Sequence, residues 1–182
     1  AGVDEVGRGS LIGPVYAAAV IFKKKINKKK LKDSKKLSKK NREILYNYIK
    51  KNCICAIGSA SLKEIEKINI LHASLLAMKR AIKKLRKKPN LVLIDGNKLP
   101  KMKNYKLKSI IGGDKKIPAI SAASIIAKVT RDKMIIKLGK KFRGYNWDKN
   151  FGYGTKNHLK AIRNIGITIH HRRTYSPMNK IK

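Results

Sequence analysis

Apolar positions along this chain alternate between short runs of strand length and longer stretches in which they recur every three or four residues. Ala1–Val6 and Val15–Phe22 are short apolar runs flanking a glycine-rich turn, Gly7-Arg8-Gly9-Ser10 with Gly13-Pro14, and predict a hairpin of buried strands. Lys23–Lys40 is a polar, lysine-rich loop with Leu31 and Leu37 as its only strong anchors. A helix is predicted from Ser38 to about Lys50, with Ile44, Leu45, Tyr48 and Ile49 on one side, followed by a third strand over Cys53–Ala60. Ser61-Leu62-Lys63-Glu64 has the form of a capping box, a serine with a glutamate three residues later. It opens what the pattern predicts to be the longest helix, with Ile65, Ile68, Leu71, Leu75, Met78, Ile82 and Leu85 at helical spacing and Pro89 beyond its end.

Leu91–Ile94 predicts a buried strand running into Asp95, and Leu107–Ile111 a further strand ending at Gly112-Gly113-Asp114. Ser121–Leu138 reads as a helix that is small and apolar at its start. Phe142–Thr155 reads as an aromatic and glycine-rich loop, and Lys156 to about Asn164 as a last helix. No long linker and no fixed-period repeat interrupts the series. Strands first and mixed αβ units afterwards predict an α/β fold, a mixed sheet flanked by helices, in one domain over 1–182 with a helical, basic C-terminal segment from about 140.

Composition changes this picture in one respect. The chain of 182 residues carries 46 Lys+Arg against 10 Asp+Glu, a formal net charge of +36. Such an excess favours a polyanionic partner. Lysine far outnumbers arginine, however, and isoleucine far outnumbers valine. A genome rich in A and T gives the same skew through its codons, so the charge alone supports nucleic acid only weakly. No apolar run approaches ~18 residues, which excludes a membrane-spanning helix by length. Two cysteines, Cys53 and Cys55, cannot staple a secreted scaffold and have no second pair for zinc; they read as buried thiols. No signal or transit segment is visible, so the cytoplasm is the expected compartment. The absence of an initiator Met suggests a short stretch ahead of Ala1.

In so basic a chain the acids are the informative residues. Asp33, Glu43, Glu64, Glu66, Asp132 and Asp148 lie in polar surroundings where caps and ion pairs account for them. Asp4 and Glu5 end an apolar strand, Asp95 follows Leu-Val-Leu-Ile, and Asp114 follows a strand and two glycines. A buried carboxylate is costly unless it is paired or bound to metal. Carboxylates at strand ends beside glycines suit a hard cation such as Mg²⁺, and two such ions can clamp a phosphodiester. Neighbouring strand residues point to opposite faces, so Asp4 and Glu5 converge only where the strand bends or ends.

Gly2-Val3-Asp4-Glu5-Val6-Gly7-Arg8-Gly9 resembles the opening motif of the type 2 ribonucleases H, in particular bacterial ribonuclease HII. Asp33-Ser34-Lys35-Lys36-Leu37, Asn69 to Ala73, Ile94-Asp95-Gly96-Asn97, Gly113-Asp114, Ile120 to Asp132, Gly152-Tyr153-Gly154-Thr155 and His171-Arg172-Arg173 resemble further family blocks in family order. The resemblance implies a ribonuclease H-like catalytic domain over the whole chain. Its substrates would be RNA–DNA hybrids and duplex DNA carrying single ribonucleotides, cut on the ribonucleotide's 5′ side to leave 3′-hydroxyl and 5′-phosphate ends with Mn²⁺ or Mg²⁺. It places the family's four metal-binding, catalytic carboxylates on Asp4, Glu5, Asp95 and Asp114, the same four that the acids themselves single out.

The same resemblance makes Gly7, Arg8 and Gly9 the sensor of the ribose 2′-hydroxyl, and Tyr153 the ring that packs on the following deoxyribose. Lys35, Lys36, Ser121, Ser124, Lys128 and Arg131 become candidates for phosphate contact, which positions a duplex without reading its sequence. Ser10 stands where a proline is common and is expected to carry no chemistry. A monomer is expected, and a replication-clamp type of partner is left open. The main alternative is a non-catalytic basic protein that binds RNA or DNA. His72 reads as a packed or surface residue and His158 as part of a helix cap. His170, His171, Arg172 and Arg173 form a basic cluster that either reaches phosphate or braces the C-terminal segment. Trp147 and Tyr145 are expected to pack the loop around Tyr153.

Overall fold

The computed structural model describes residues 1–23, 26–27, 31 and 38–180. Five strands form one sheet in the order β3-β2-β1-β4-β5. They are β1 (Gly2–Val6), β2 (Val15–Phe22), β3 (Cys53–Ala60), β4 (Val92–Asp95) and β5 (Leu107–Ile110). The hairpin expected at the start forms, with Asp4 opposite Ala18 and Val6 opposite Tyr16, and β3 extends it antiparallel. On the other side of β1 the sheet turns parallel: Val3 pairs with Ile94, and Asp95 with Ile110. The mixed sheet is therefore as the pattern predicted, with the first strand in chain order at its centre.

Helices cover both faces. On one face α2 (Leu62–Lys83) lays Ile65, Ala77, Met78 and Ile82 on Val3, Val15, Ala17 and Ala19. On the other, α1 (Lys39–Asn52) and α4 (Pro118–Lys141) bury Leu45, Ile49, Ala122, Ile125 and Ile126 against Ala18 and Val20. Small side chains set how near the helices come. A Cβ built on Gly58 of β3 meets the Ala77 carbonyl oxygen of α2 at 2.2 Å, so strand and helix backbones touch there. A third core of Leu11, Ile12, Ile135, Tyr145, Trp147, Ile162 and Met178 joins the end of α4 to α5 (Trp147–Asn150), α6 (Lys156–Ile165) and a final turn at Met178–Lys180.

The capping box is present in both directions: Ser61 Oγ accepts from the Glu64 N–H, and the Glu64 carboxylate accepts from the Ser61 N–H. Arg80 then reaches back from α2 with its fork on both Glu64 oxygens (2.6 and 2.9 Å) and on the Ser59 carbonyl (2.8 Å), tying helix to strand.

Two expectations for this helix fail. It is not the longest, since α2 has 22 residues and α4 has 24. Nor is it continuous, because Asn69 adopts φ 60°, ψ 169° and breaks it into two segments. The Asn69 side chain accepts from the N–H groups of Leu71 and His72 (3.0 and 3.2 Å), so the residue that interrupts one segment caps the next. The apolar spacing runs across this break unchanged, which is why periodicity alone reads a single helix. Leu31 is buried, as its part as a loop anchor requires. Leu37 lies outside the described residues, and so do Lys35 and Lys36.

Candidate active site

Strands β1 and β4 run parallel, and their carboxyl ends open side by side into a cavity of about 360 Å³. It is lined by Asp4, Glu5, Val6, Asp95, Ser124, Ile125, Lys128 and Arg42. Asp4 and Glu5 share it although they are adjacent on one strand, because the cavity lies across the strand's end rather than over one face. Asp4 is 6% exposed. Its Oδ1 accepts from the Glu5 N–H (2.7 Å), and Glu5 in turn takes an ion pair from Arg8 (3.3 Å).

Crowding of negative charge governs how these acids titrate. Burial, then the neighbouring Glu5 and Asp95 carboxylates, hold the Asp4 carboxyl well above the ordinary aspartate range, against the opposing hydrogen bond with Ser124. Glu5 is raised by burial and by Asp95, and lowered again by Arg8. Two acids that resist ionising beside a third form a site that gains from a cation.

Asp114 stands slightly apart. It lies in α3 (Gly113–Lys116), a four-residue helix the sequence pattern does not reveal, and lines a separate small cavity with Leu31, Lys115 and Ser121. The link to the main cavity is its neighbour: the Gly113 N–H donates to Asp95 Oδ1 at 2.7 Å. Three of the four sequence-chosen carboxylates thus line one cavity, and the fourth sits one residue beyond a direct hydrogen bond to it. Among the described residues no three acidic, histidine or cysteine side chains lie close enough to enclose a metal ion unaided.

The glycine-rich turn follows directly on the strand end that carries Glu5 and Val6. Gly7 has φ +93°, and a Cβ there would meet the Arg131 Nε at 2.3 Å, so only glycine fits. Arg8 and Gly9 are exposed. The Arg8 carbonyl is held by two donors, Arg172 Nη1 (2.8 Å) and the Tyr175 hydroxyl (3.0 Å).

The Tyr153 loop lies against this turn, with the Leu11 N–H donating to the Gly152 carbonyl (2.8 Å). Tyr153 is half-buried, and Lys128 and Arg131 approach its ring at 5.8 and 5.7 Å from the centroid. Its carbonyl also accepts from the Thr155 N–H (2.8 Å) and faces His158 Nδ1 (2.9 Å). Behind it, the Trp147 Nε1–H donates to His158 Nε2 (2.9 Å), which fixes the His158 tautomer as Nδ1–H. Trp147 is wholly buried, so it packs the loop as expected.

The phosphate candidates divide. Lys128 is partly exposed at the cavity, paired with Asp132 (2.8 Å) and lying over the Phe151 ring, and Ser124 lines the cavity. Ser121 and Arg131 are buried. Ser121 is 3% exposed and its hydroxyl donates to the Leu31 carbonyl; Arg131 is 0% exposed and spends its donors on loop carbonyls and the Ser10 hydroxyl. Sequence reasoning places a cation outside by its charge, and only tertiary contacts show that α4 turns this one inward. Ser10, expected to carry no chemistry, is also wholly buried, its hydroxyl within hydrogen-bond distance of the Ile12 and Gly152 carbonyls and accepting from Arg131. Of the basic cluster, Arg172 braces rather than projects: its Nε donates to the Gly13 carbonyl (3.0 Å).

A family model described as Ribonuclease HII matches residues 1–177. The ribonuclease HII of Pelagibacter ubique is 72% identical over 181 residues, covering 100% of this chain and 97% of that protein. That of Roseobacter denitrificans is 48% identical, covering 98% and 90%. Among solved structures, the ribonuclease H2 of Pyrococcus horikoshii superposes with a TM-score of 0.80 at 30% identity, covering 98% of this chain and 94% of that one. The RNase HII of Archaeoglobus fulgidus, solved in complex with PCNA, gives 0.80 at 28% identity, covering 96% and 93%. A Bst-RNase HIII solved in complex with Mn²⁺ shares the fold at a TM-score of 0.76 and 17% identity, covering 98% and 67%. Sequence and fold therefore agree along the whole length, and this chain belongs to the ribonuclease HII family, enzymes of ribonuclease H type.

Proposed function

We propose that the protein hydrolyses the RNA strand of RNA–DNA hybrids and cuts duplex DNA on the 5′ side of a single embedded ribonucleotide. The products are a 3′-hydroxyl and a 5′-phosphate. One observation carries this: the chain, at +36 overall, concentrates Asp4, Glu5 and Asp95 at a single cavity where two parallel strands end. The raised carboxyls of Asp4 and Glu5, both beside Asp95, fit a site completed by divalent cations. Asp4, Glu5, Asp95 and Asp114 would hold Mg²⁺ or Mn²⁺. Mg²⁺ takes few protein ligands and keeps waters and phosphate oxygens, so a closed cage of three or more side chains is not required. When bound, the ions supply positive charge at the scissile phosphate and a water of lowered pKa.

The remaining roles belong to the chain itself. Gly7, Arg8 and Gly9 present main-chain groups to the ribose 2′-hydroxyl, the group that separates RNA from DNA. Arg8 also keeps Glu5 oriented through its ion pair. The Tyr153 ring packs on the sugar that follows and favours a deoxyribose there. Lys128 and Ser124 at the cavity, with Lys35 and Lys36, contact phosphate. We read residues 1–182 as one catalytic unit, a cytoplasmic monomer; among the described residues no helix is long and apolar enough to cross a membrane. The complex of the Archaeoglobus relative with PCNA supports a clamp-type partner.

The test is an end-labelled DNA duplex carrying one ribonucleotide, incubated with Mg²⁺, Mn²⁺ or chelator. A metal-dependent cut 5′ of the ribonucleotide is expected, reduced at least a thousandfold (~4 kcal/mol) in Asp4→Asn and Asp95→Asn. Undiminished cutting by those variants would remove the carboxylate roles. Retention of the duplex without any cutting would leave a basic binding protein.

A further inference from the structure

Between the Gly7–Gly9 turn and the Tyr153 loop lies a guanidinium that solvent does not reach. Arg131 projects from α4 and donates from Nη2 to Ser10 Oγ (2.6 Å) and the Ile12 carbonyl (3.2 Å). Its Nη1 donates to the Phe151 carbonyl (3.1 Å) and its Nε to the Pro14 carbonyl (3.4 Å). One fork therefore holds three points on the first loop and one on the second. Ser10 completes the connection, with its hydroxyl 3.1 Å from both the Ile12 and the Gly152 carbonyls. Ser10 and Tyr153 also face each other as an antiparallel bridge.

Among the described residues no carboxylate forms an ion pair with Arg131. A buried charge with no direct ion-pair partner is costly, and a well-packed apolar side chain would fill the space more cheaply. What an apolar side chain cannot do is fix two loops at once. A planar guanidinium with donors in rigid directions can, because each bond constrains both distance and angle.

Resting on the function proposed above, we propose that Ser10 and Arg131 are positioning residues that set the spacing between the sugar-sensing Gly7–Gly9 turn and the Tyr153 ring, and thereby the selectivity for an RNA–DNA junction. Junction choice needs two readings one nucleotide apart, a hydroxyl present on one sugar and absent from the next. Each loop alone can touch its sugar, but the pair discriminates only while the distance between them is held. A uniform hybrid offers a ribose at every step and makes no such demand. Loss of the clamp therefore affects the two substrates unequally, which a loss of folding does not.

The experiment compares single-turnover cleavage of a DNA duplex with one ribonucleotide against cleavage of a uniform RNA–DNA hybrid, for the parent, Ser10→Ala and Arg131→Lys. Binding of both duplexes is measured with chelator present. In Ser10→Ala the ratio of the two rates is expected to shift about tenfold against the single ribonucleotide, with both affinities within twofold of the parent; Arg131→Lys shifts it the same way. Should Arg131→Lys fail to fold, Ser10→Ala decides, since it removes one oxygen and leaves the backbone intact. An unchanged ratio in Ser10→Ala, or equal slowing on both substrates, overturns the clamp while leaving the function standing. A parent that cuts neither duplex overturns the function and the clamp with it.

Discussion

His171 offers a stability prediction whose size follows from its surroundings. It is 1% exposed, its ring centroid 5.3, 5.6 and 5.5 Å from those of Tyr145, Trp147 and His158. Its Nδ1 accepts from the Thr168 N–H (2.9 Å), so the ring proton sits on Nε2, which is buried without a partner. Protonation would turn Nδ1 into a donor facing a donor. Burial, and next the nearby His158, push its pKa from 6.5 down to about 4. Between those values the unfolded chain binds a proton that the folded chain refuses, so stability falls as pH drops from about 6.5 to about 4, and this group removes none above 6.5. The full loss is about 3 kcal/mol, and about 2 kcal/mol of it has accrued by pH 5.

Asp4 and Glu5 act in the opposite direction, since carboxyls raised in the folded state favour folding as the pH falls through their range. A comparison of two proteins cancels that contribution. His171→Asn keeps an acceptor for Thr168 and does not titrate, while losing the ring contacts at a cost of about 2 kcal/mol at pH 7.5. Urea unfolding of both proteins at several pH values should show that gap closing near pH 5 and reversing below it. A gap that stays constant from pH 7.5 to 5 would refute the titration of His171 as the cause.

Three further outcomes are expected. Gly58→Ala forces a methyl onto the backbone of α2 and should lower stability by about 3 kcal/mol in denaturant melts, against tenths for a substitution at exposed Lys63. Burial lifts the Cys53 and Cys55 thiols to about 12 and about 11, so alkylation of the folded protein at pH 8 should run at least about a hundredfold slower than that of a free thiol, and rise to the free-thiol rate in urea. Duplex affinity, if about six phosphates are contacted, should fall roughly a thousandfold between 50 and 200 mM salt, and a flat response would make the lysines bystanders.

Local chemistry wrote much of the fold in advance. Val15–Phe22 reads as a strand from its apolar run alone, and Ser61 with Glu64 announces a helix start that the structure keeps in both directions. Asp4, Glu5 and Asp95 stand out because charge at the end of an apolar strand needs a reason. What stays hidden depends on contacts between distant residues. Asn69 breaks its helix by capping the next segment, and nothing in the spacing of Ile65, Ile68 and Leu71 signals it. Arg131 and Ser10 are polar letters in a polar-looking context until α4 and two loops close around them. The four-residue α3 is too short to show a period at all.

The central place of β1 in the sheet bears on how the molecule comes into being. Residues 1–60 contain β1, β2 and β3, with β2 pairing antiparallel to each of the other two, so this half of the sheet needs no later part of the chain for its strand pairing. The parallel edge of β1 must wait for Leu93 and Ile94, some ninety residues later, and during that interval it is an unpaired strand edge. Asp95 and Asp114 arrive with that second half, and Tyr153 later still. A growing chain therefore carries Asp4, Glu5 and the Gly7–Gly9 turn through most of its synthesis without their partners. On this order of assembly, the carboxylate cavity cannot exist until the parallel half of the sheet has closed on β1.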